Sequence, residues 1–127
     1  MSNQEFLNPQ MTEAAIYFGK NLVASEPYLR YQQAEQALNA DAAALGLLNN
    51  LKQAQVKVSR AQTNGTITVE NLQALGEIQR QVEATPVITE YIASQQEMTR
   101  FFQEINTEIS QLLGLNFALV ARRSSCC

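Results

Sequence analysis

P-V-I-T-E-Y-I-A-S-Q-Q-E-M-T-R-F-F-Q-E-I-N-T-E-I-S-Q-L-L, Pro86 to Leu113, is the stretch whose reading decides how this chain folds. Within it Ile88, Tyr91, Gln95, Met98, Phe102, Ile105, Ile109 and Leu112 recur at spacings that alternate between three and four. That alternation predicts a helix with an apolar seam of period 3.5, the pattern of helices that lie lengthwise on a partner. At a rise of 1.5 Å per residue the helix is roughly 40 Å long, about twice the globular mean. So long a stripe cannot be covered by its own helix, and another long element must lie beside it. Gln95 is the one polar break, a position that can set register or partner number in a helical assembly. These eight residues are the expected interface.

Working outward, Thr85–Pro86 separates this helix from a preceding one over Val69–Glu83, with Thr68 as its cap and Glu70 in the dipole-favoured first turn. Leu72, Leu75, Ile78, Gln79 and Val82 form its stripe. Thr63–Asn64–Gly65–Thr66 is the clearest turn. Before it, Asp41 is a good cap for a helix reaching about Gln62, with the seam Ala44, Leu47, Leu51, Ala54, Val58, Ala61. Half of that seam is alanine, which allows close approach by a bulkier neighbour such as Met98, Phe101 and Phe102. The stretches 41–62 and 86–113 are therefore the expected packing partners. Farther upstream, Ser25–Glu26–Pro27 breaks a helix carrying Met11, Ala15, Phe18 and Leu22 from a short one running to Asn39. Asn8 or Thr12 can cap the first, and Ser25 the second. Tyr28, Tyr31, Ala34, Ala37 and Leu38 are the second one's expected buried side. After Gly114 the apolar run Leu115–Ala121 suits either a last helical turn or an extended segment. The fold class is all-α, with about five helices packed as an oligomeric bundle or hairpin.

At 127 residues, with 46% hydrophobic and 17% charged residues, the chain fits one helical domain over 1–121 and a short tail over 122–127, expected to be flexible. No apolar run reaches a membrane span, and no signal peptide is visible, so a cytoplasmic protein is expected. Net charge is −3 and the sequence pI about 4.9, which argues against direct nucleic-acid binding. Lys52, Lys57 and Arg60 read as a solvated helix face, and Arg122–Arg123 as part of the tail. Glu70, Glu77, Glu83, Glu90 and Glu97 also read as solvated faces. There is no histidine, which removes Ser-His-Asp and Cys-His catalysis, histidine-ligated zinc and the Glu-x-x-His di-iron bundle. No catalytic residues and no enzymatic activity are expected, and no cofactor is needed for folding.

Cys126 and Cys127 end the chain. Adjacent cysteines are poorly placed to bond to each other. Iron–sulfur clusters usually take four thiolates, so two can hold one only if it is shared with another chain. The plain alternative is a pair of incidental thiols on a purely structural helical homo-oligomer. A terminal Cys-Cys also resembles the prenylated end of Rab-type GTPases, but the phosphate-binding loop of those proteins is missing.

The spacing L-x-x-S-E-P-Y-x-x-Y-x-x-A-x-x-A-L-x-x-D, Leu22 to Asp41, with Gly19 where an alanine is usual, resembles the YlbF/YmcA family. So do T-P-V-I-T-E-Y-I-A-S-Q-Q, Thr85 to Gln96, and the terminal S-S-C-C. The resemblance implies a small all-helical bacterial protein that self-associates as a dimer or higher oligomer and enters a multi-protein complex. Its implied partners are YmcA-like and YaaT-like proteins, in a complex that carries iron–sulfur clusters. That complex influences ribonuclease Y-dependent RNA processing, competence, sporulation and biofilm development. Only Cys126 and Cys127 match a cluster-ligand role, and the further upstream cysteine expected of some relatives is absent.

Overall fold

A computed structural model of the chain describes residues 6–123, and within them six helices and no strand. Helix α1 spans Pro9–Val23, α2 Glu26–Asn39, α3 Ala42–Asn64, α4 Val69–Glu83, α5 Pro86–Leu113 and α6 Phe117–Arg123. Their ends follow local chemistry. Asn8, Asp41 and Thr68 accept the Met11, Ala44 and Asn71 amides at 2.8, 2.9 and 3.2 Å, so three helix starts are closed by side-chain caps. Ser25 stands at the N-cap of α2, but its hydroxyl donates back to Leu22 O at 2.6 Å and so closes α1. Gly65 and Gly114 take φ values of +68° and +71° and end α3 and α5, as only a residue without Cβ does cheaply. Of Leu115–Ala121, left open between helix and extended chain, the part from Phe117 onward lies in α6, and Asn116 Oδ1 just before it accepts the Leu119 amide at 3.0 Å.

The helices pair as two antiparallel couples. The three-residue connection after Gly65 turns α4 back along α3. Helix α2 runs against α5, with Leu38 near Ile88 at one end and Pro27 near Phe101 and Glu104 at the other. The pairing expected between 41–62 and 86–113 is therefore corrected: α3 lies along α4, and α5 along α2. A heptad-like seam says that a partner is needed without saying which one. The short turn makes α4 the nearest partner for the alanine-rich side of α3, while Tyr31 of α2 is large enough to meet α5. Residue by residue, the α3 seam is as expected, with Ala44, Val58 and Ala61 buried and Leu47, Leu51 and Ala54 half-buried.

The two couples meet where their ends converge. Leu38 at the end of α2, Ala44 at the start of α3, Val82 at the end of α4 and Ile88 at the start of α5 form one buried cluster. Leu47, Leu51, Ile78 and Tyr91 pack around it. Four helix ends thus share one hub, and each couple extends from it. The lengths of the second couple do not match. Helix α5 has 28 residues and α2 only 14, so α5 runs on for about 20 Å past the end of α2.

Candidate functional site

The inner line of α5 is Val87, Tyr91, Ser94, Met98, Phe101 and Ile105, all buried or half-buried. It is rotated by part of a turn from the expected seam. Ile88 has no exposed surface and Tyr91 is half-buried, so both belong to the core of the subunit. Met98, Ile105 and Ile109 are half-buried. Gln95 faces outward, Phe102 is 43% exposed and Leu112 is 86% exposed. The expected interface thus divides into an inner half that folds the chain and an outer half, centred on the far end of α5, that is left open. Ser94, which sequence reasoning passed over, is wholly buried, and its hydroxyl donates to Tyr91 O of its own helix at 2.8 Å.

A polar clamp flanks the inner line. Arg30 of α2 donates from Nε and Nη2 to both carboxylate oxygens of Glu90, at 2.9 and 3.0 Å, and from Nη1 to Glu97 at 3.0 Å. Two-pronged guanidinium–carboxylate contacts fix geometry as well as charge. These bonds raise the Arg30 pKa above its ordinary value and hold the Glu90 carboxyl below the usual range. Glu90 and Glu97 are therefore half of an inter-helix clamp while their side chains stay 50% and 38% exposed, so the clamp adds to their reading as solvated faces. Their spacing of seven along the flank of the seam was the signal available. Glu77 is ion-paired with Arg80 on its own helix.

Next to the clamp, the Tyr31 and Tyr91 rings lie 5.6 Å apart with their hydroxyls 3.3 Å from each other. The hydrogen bond with Tyr91, and after it burial, pushes the Tyr31 phenol up to about 12 from an ordinary 10.0. The folded state then holds this proton more tightly than the unfolded one, so the contribution is complete below pH 10 and is lost as pH rises toward 12. Urea denaturation across that interval is expected to show stability falling, and Tyr31→Phe is expected to remove that part of the fall. An unchanged profile in the variant would refute the assignment.

The open surface lies at the other end of α5. Helix α1 has no buried residue; Met11, Ile16, Phe18 and Val23 are exposed, and only Gly19 and Leu22 are half-covered. Helix α6 folds back on α5, where Ser110 Oγ accepts the Phe117 amide and Asn106 Oδ1 the Ala118 amide, each at 2.9 Å. Its Phe117, Leu119 and Val120 remain exposed. Lys52, Lys57 and Arg60 line one exposed groove on α3. Cys126 and Cys127 lie outside the described residues. Among the described residues no group of histidine, cysteine, aspartate or glutamate side chains could hold a metal ion. No helix among them is long and apolar enough to cross a membrane.

Paired helices around a polar clamp, with one apolar end left uncovered, define an all-helical protein with an open apolar surface among the described residues. The chain belongs to the YlbF/YmcA family: residues 11–113 match the family model described as control of competence regulator ComK, YlbF/YmcA. The matched span runs from the first turn of α1 to the last residue of α5. No curated protein and no solved structure matches the chain.

Proposed function

We propose that this chain is a non-enzymatic regulatory adaptor of a bacterial multi-protein complex. It self-associates through its helices and contacts YmcA-like and YaaT-like partners in the cytoplasm. Through them it influences ribonuclease Y-dependent RNA processing and the competence, sporulation and biofilm programmes. The observation that carries this reading is the apolar surface left on α1, distal α5 and α6, joined to a family match that spans α1 to α5. Apolar surface on this scale marks protein contact.

The cluster is a separate element of the reading. Two cysteines, no histidine and no metal-binding group among the described residues leave this chain short of the four ligands an iron–sulfur centre usually takes. The donor set does not fit a cluster held by this chain alone, so the role proposed for Cys126 and Cys127 is to complete one shared with partner chains.

The test is anaerobic co-purification with YmcA-like and YaaT-like proteins, followed by iron and sulfide analysis and a visible spectrum. Cys126→Ser/Cys127→Ser is expected to lose iron or partner while keeping its oligomeric state. A colourless, stable monomer that binds neither partner would sink the adaptor reading. An oligomer indifferent to the double substitution would leave a structural scaffold with incidental thiols.

A further inference from the structure

The side of α3 opposite its buried seam carries a second stripe. Asn49, Lys52, Gln53, Val56, Lys57 and Arg60 line one open groove along it, and all six are exposed. At about 100° per residue, this stripe is centred about 160° around the helix from buried Ala44, Val58 and Ala61. Among the described residues none of its three cations is ion-paired, and no carboxylate lines the groove. Arg30 and Arg80, by contrast, are both held by glutamates.

The acidic total of the chain hides this distribution. From residue 42 to residue 69 there are these three cations and no aspartate or glutamate. The other six lysines and arginines and all twelve acids lie outside that span, so a stripe of +3 sits on a body of −6. The net charge of −3 therefore argues against a polyanion spread over the whole surface, but not against one on this face. At physiological salt, charges are screened beyond about 8 Å. Acids on the other faces then act weakly on a ligand that the three cations touch directly.

The residue types select the ligand. Protein partners are held by aromatic and arginine anchors, with lysine depleted, whereas this stripe has two lysines, two amides, one arginine and one valine. Single-stranded nucleic acid is held by stacking its bases on aromatic rings. The chain has no aromatic residue between Tyr31 and Tyr91, so neither α3 nor α4 offers one. What fits is a ligand that keeps its bases stacked inside and presents phosphates with hydroxyls between them. Duplex RNA does this across its wide, shallow minor groove, where it is read by shape, phosphates and 2′-hydroxyls. Lys52, Lys57 and Arg60, spread over about 12 Å of helix, suit the phosphates. The Asn49 and Gln53 amides can both donate to and accept from 2′-hydroxyls.

We infer that the outer face of α3 binds duplex RNA across its minor groove, without sequence preference. The inference rests on the reading above, which places the chain in RNA processing, for the choice of RNA over DNA. To a role exerted through partner proteins it adds a direct contact with the RNA.

The test uses the full chain under reducing conditions and a duplex RNA of about 16 base pairs, the span of one small double-strand reader. Fluorescence anisotropy is expected to give a dissociation constant of about 10⁻⁴–10⁻⁶ M at physiological salt. With three phosphate contacts, affinity should fall ~40-fold between about 50 and 200 mM salt, a logarithmic slope of about −2.7. Lys57→Gln/Arg60→Gln is expected to weaken binding at least ~10-fold and to reduce the slope to about −1. Lys20→Gln/Arg100→Gln, on exposed positions of α1 and α5, removes the same charge elsewhere and is expected to leave the slope unchanged. Circular dichroism checks that both variants stay helical. A DNA duplex and a single-stranded RNA of the same sequence are expected to bind at least about fivefold more weakly.

No binding of the RNA duplex at a chain concentration of about 10⁻⁴ M overturns the inference. So does an equal loss in the two double variants, or DNA or single-stranded RNA bound as tightly as the duplex RNA. If Lys57→Gln/Arg60→Gln instead loses a YmcA-like or YaaT-like partner while RNA is never bound, the face is a protein contact and the inference falls. The adaptor reading fails separately, by the absence of any partner in a co-purification to which no duplex RNA is added.

Discussion

Replacing Ile88 by alanine is expected to destabilise the fold by about 3–4 kcal/mol, in the upper part of the range for large-to-small core substitutions. Ile88 has no exposed surface and stands in the cluster where Leu38, Ala44 and Val82 bring four helix ends together. The lost methyl and methylene groups forfeit transfer free energy, and the hub has little freedom to collapse around the void because each wall is the end of a different helix. A stability of about 5–15 kcal/mol is usual for a domain, so one such change removes a large fraction. Chemical denaturation should show the midpoint falling sharply. A loss below about 1 kcal/mol, the size of an ordinary surface substitution or somewhat more, would mean that the hub does not join the two couples.

Ser94→Leu is expected to cost about 1–3 kcal/mol by overpacking. Ser94 is wholly buried on the side of α5 that faces α2, and Ala34, the small residue of α2, is itself only 5% exposed. Each helix thus buries a small side chain where α2 packs along α5, and leucine at Ser94, a position with no exposed surface, is expected to push the helices apart. Ser94→Ala is the control. The serine hydroxyl bonds only to its own helix, at Tyr91 O, so alanine keeps the volume low and leaves no inter-helix partner stranded. A leucine variant as stable as the alanine one would show that α2 does not press on α5 at this point. Because the same separation would pull Arg30 away from Glu90 and Glu97, the variant should also lose the part of its stability that salt screens.

These two residues mark how far the sequence could be read. The helix over Pro86–Leu113 was legible to its ends, because proline and glycine bracket it. The α3 seam was legible in every position. The rotational setting of α5 was not. The 3.5-residue reading passed through Gln95, whereas the buried line passes through Ser94. A serine that bonds to the preceding turn needs no solvent, so its polarity is a poor guide to its place. The choice of partners was hidden for a different reason: a seam of apolar residues fits any comparable seam. The Arg30 clamp joins residues 60 and 67 apart in the chain, a register that exists only once α2 and α5 are paired. Of the candidate site, the outer half of the expected interface was legible as apolar spacing, while the open end emerged only when the length of α5 was set against that of α2. Cys126 and Cys127 lie outside the described residues, and their role rests on resemblance.

The position of α3 and α4 between α2 and α5 also orders the folding reaction. The α3–α4 couple closes through one short turn and needs no distant segment. The pairing of α2 with α5 must close a loop that contains both of those helices. Loop-closure entropy grows only logarithmically with length, and a hairpin that has already formed shortens the effective loop further. The topology therefore makes α3–α4 the early unit and the docking of α2 on α5 the late one. Substitutions at Val58 or Ala61, both buried in the local couple, should chiefly slow folding. Changes at Arg30 or Ser94 should chiefly hasten unfolding.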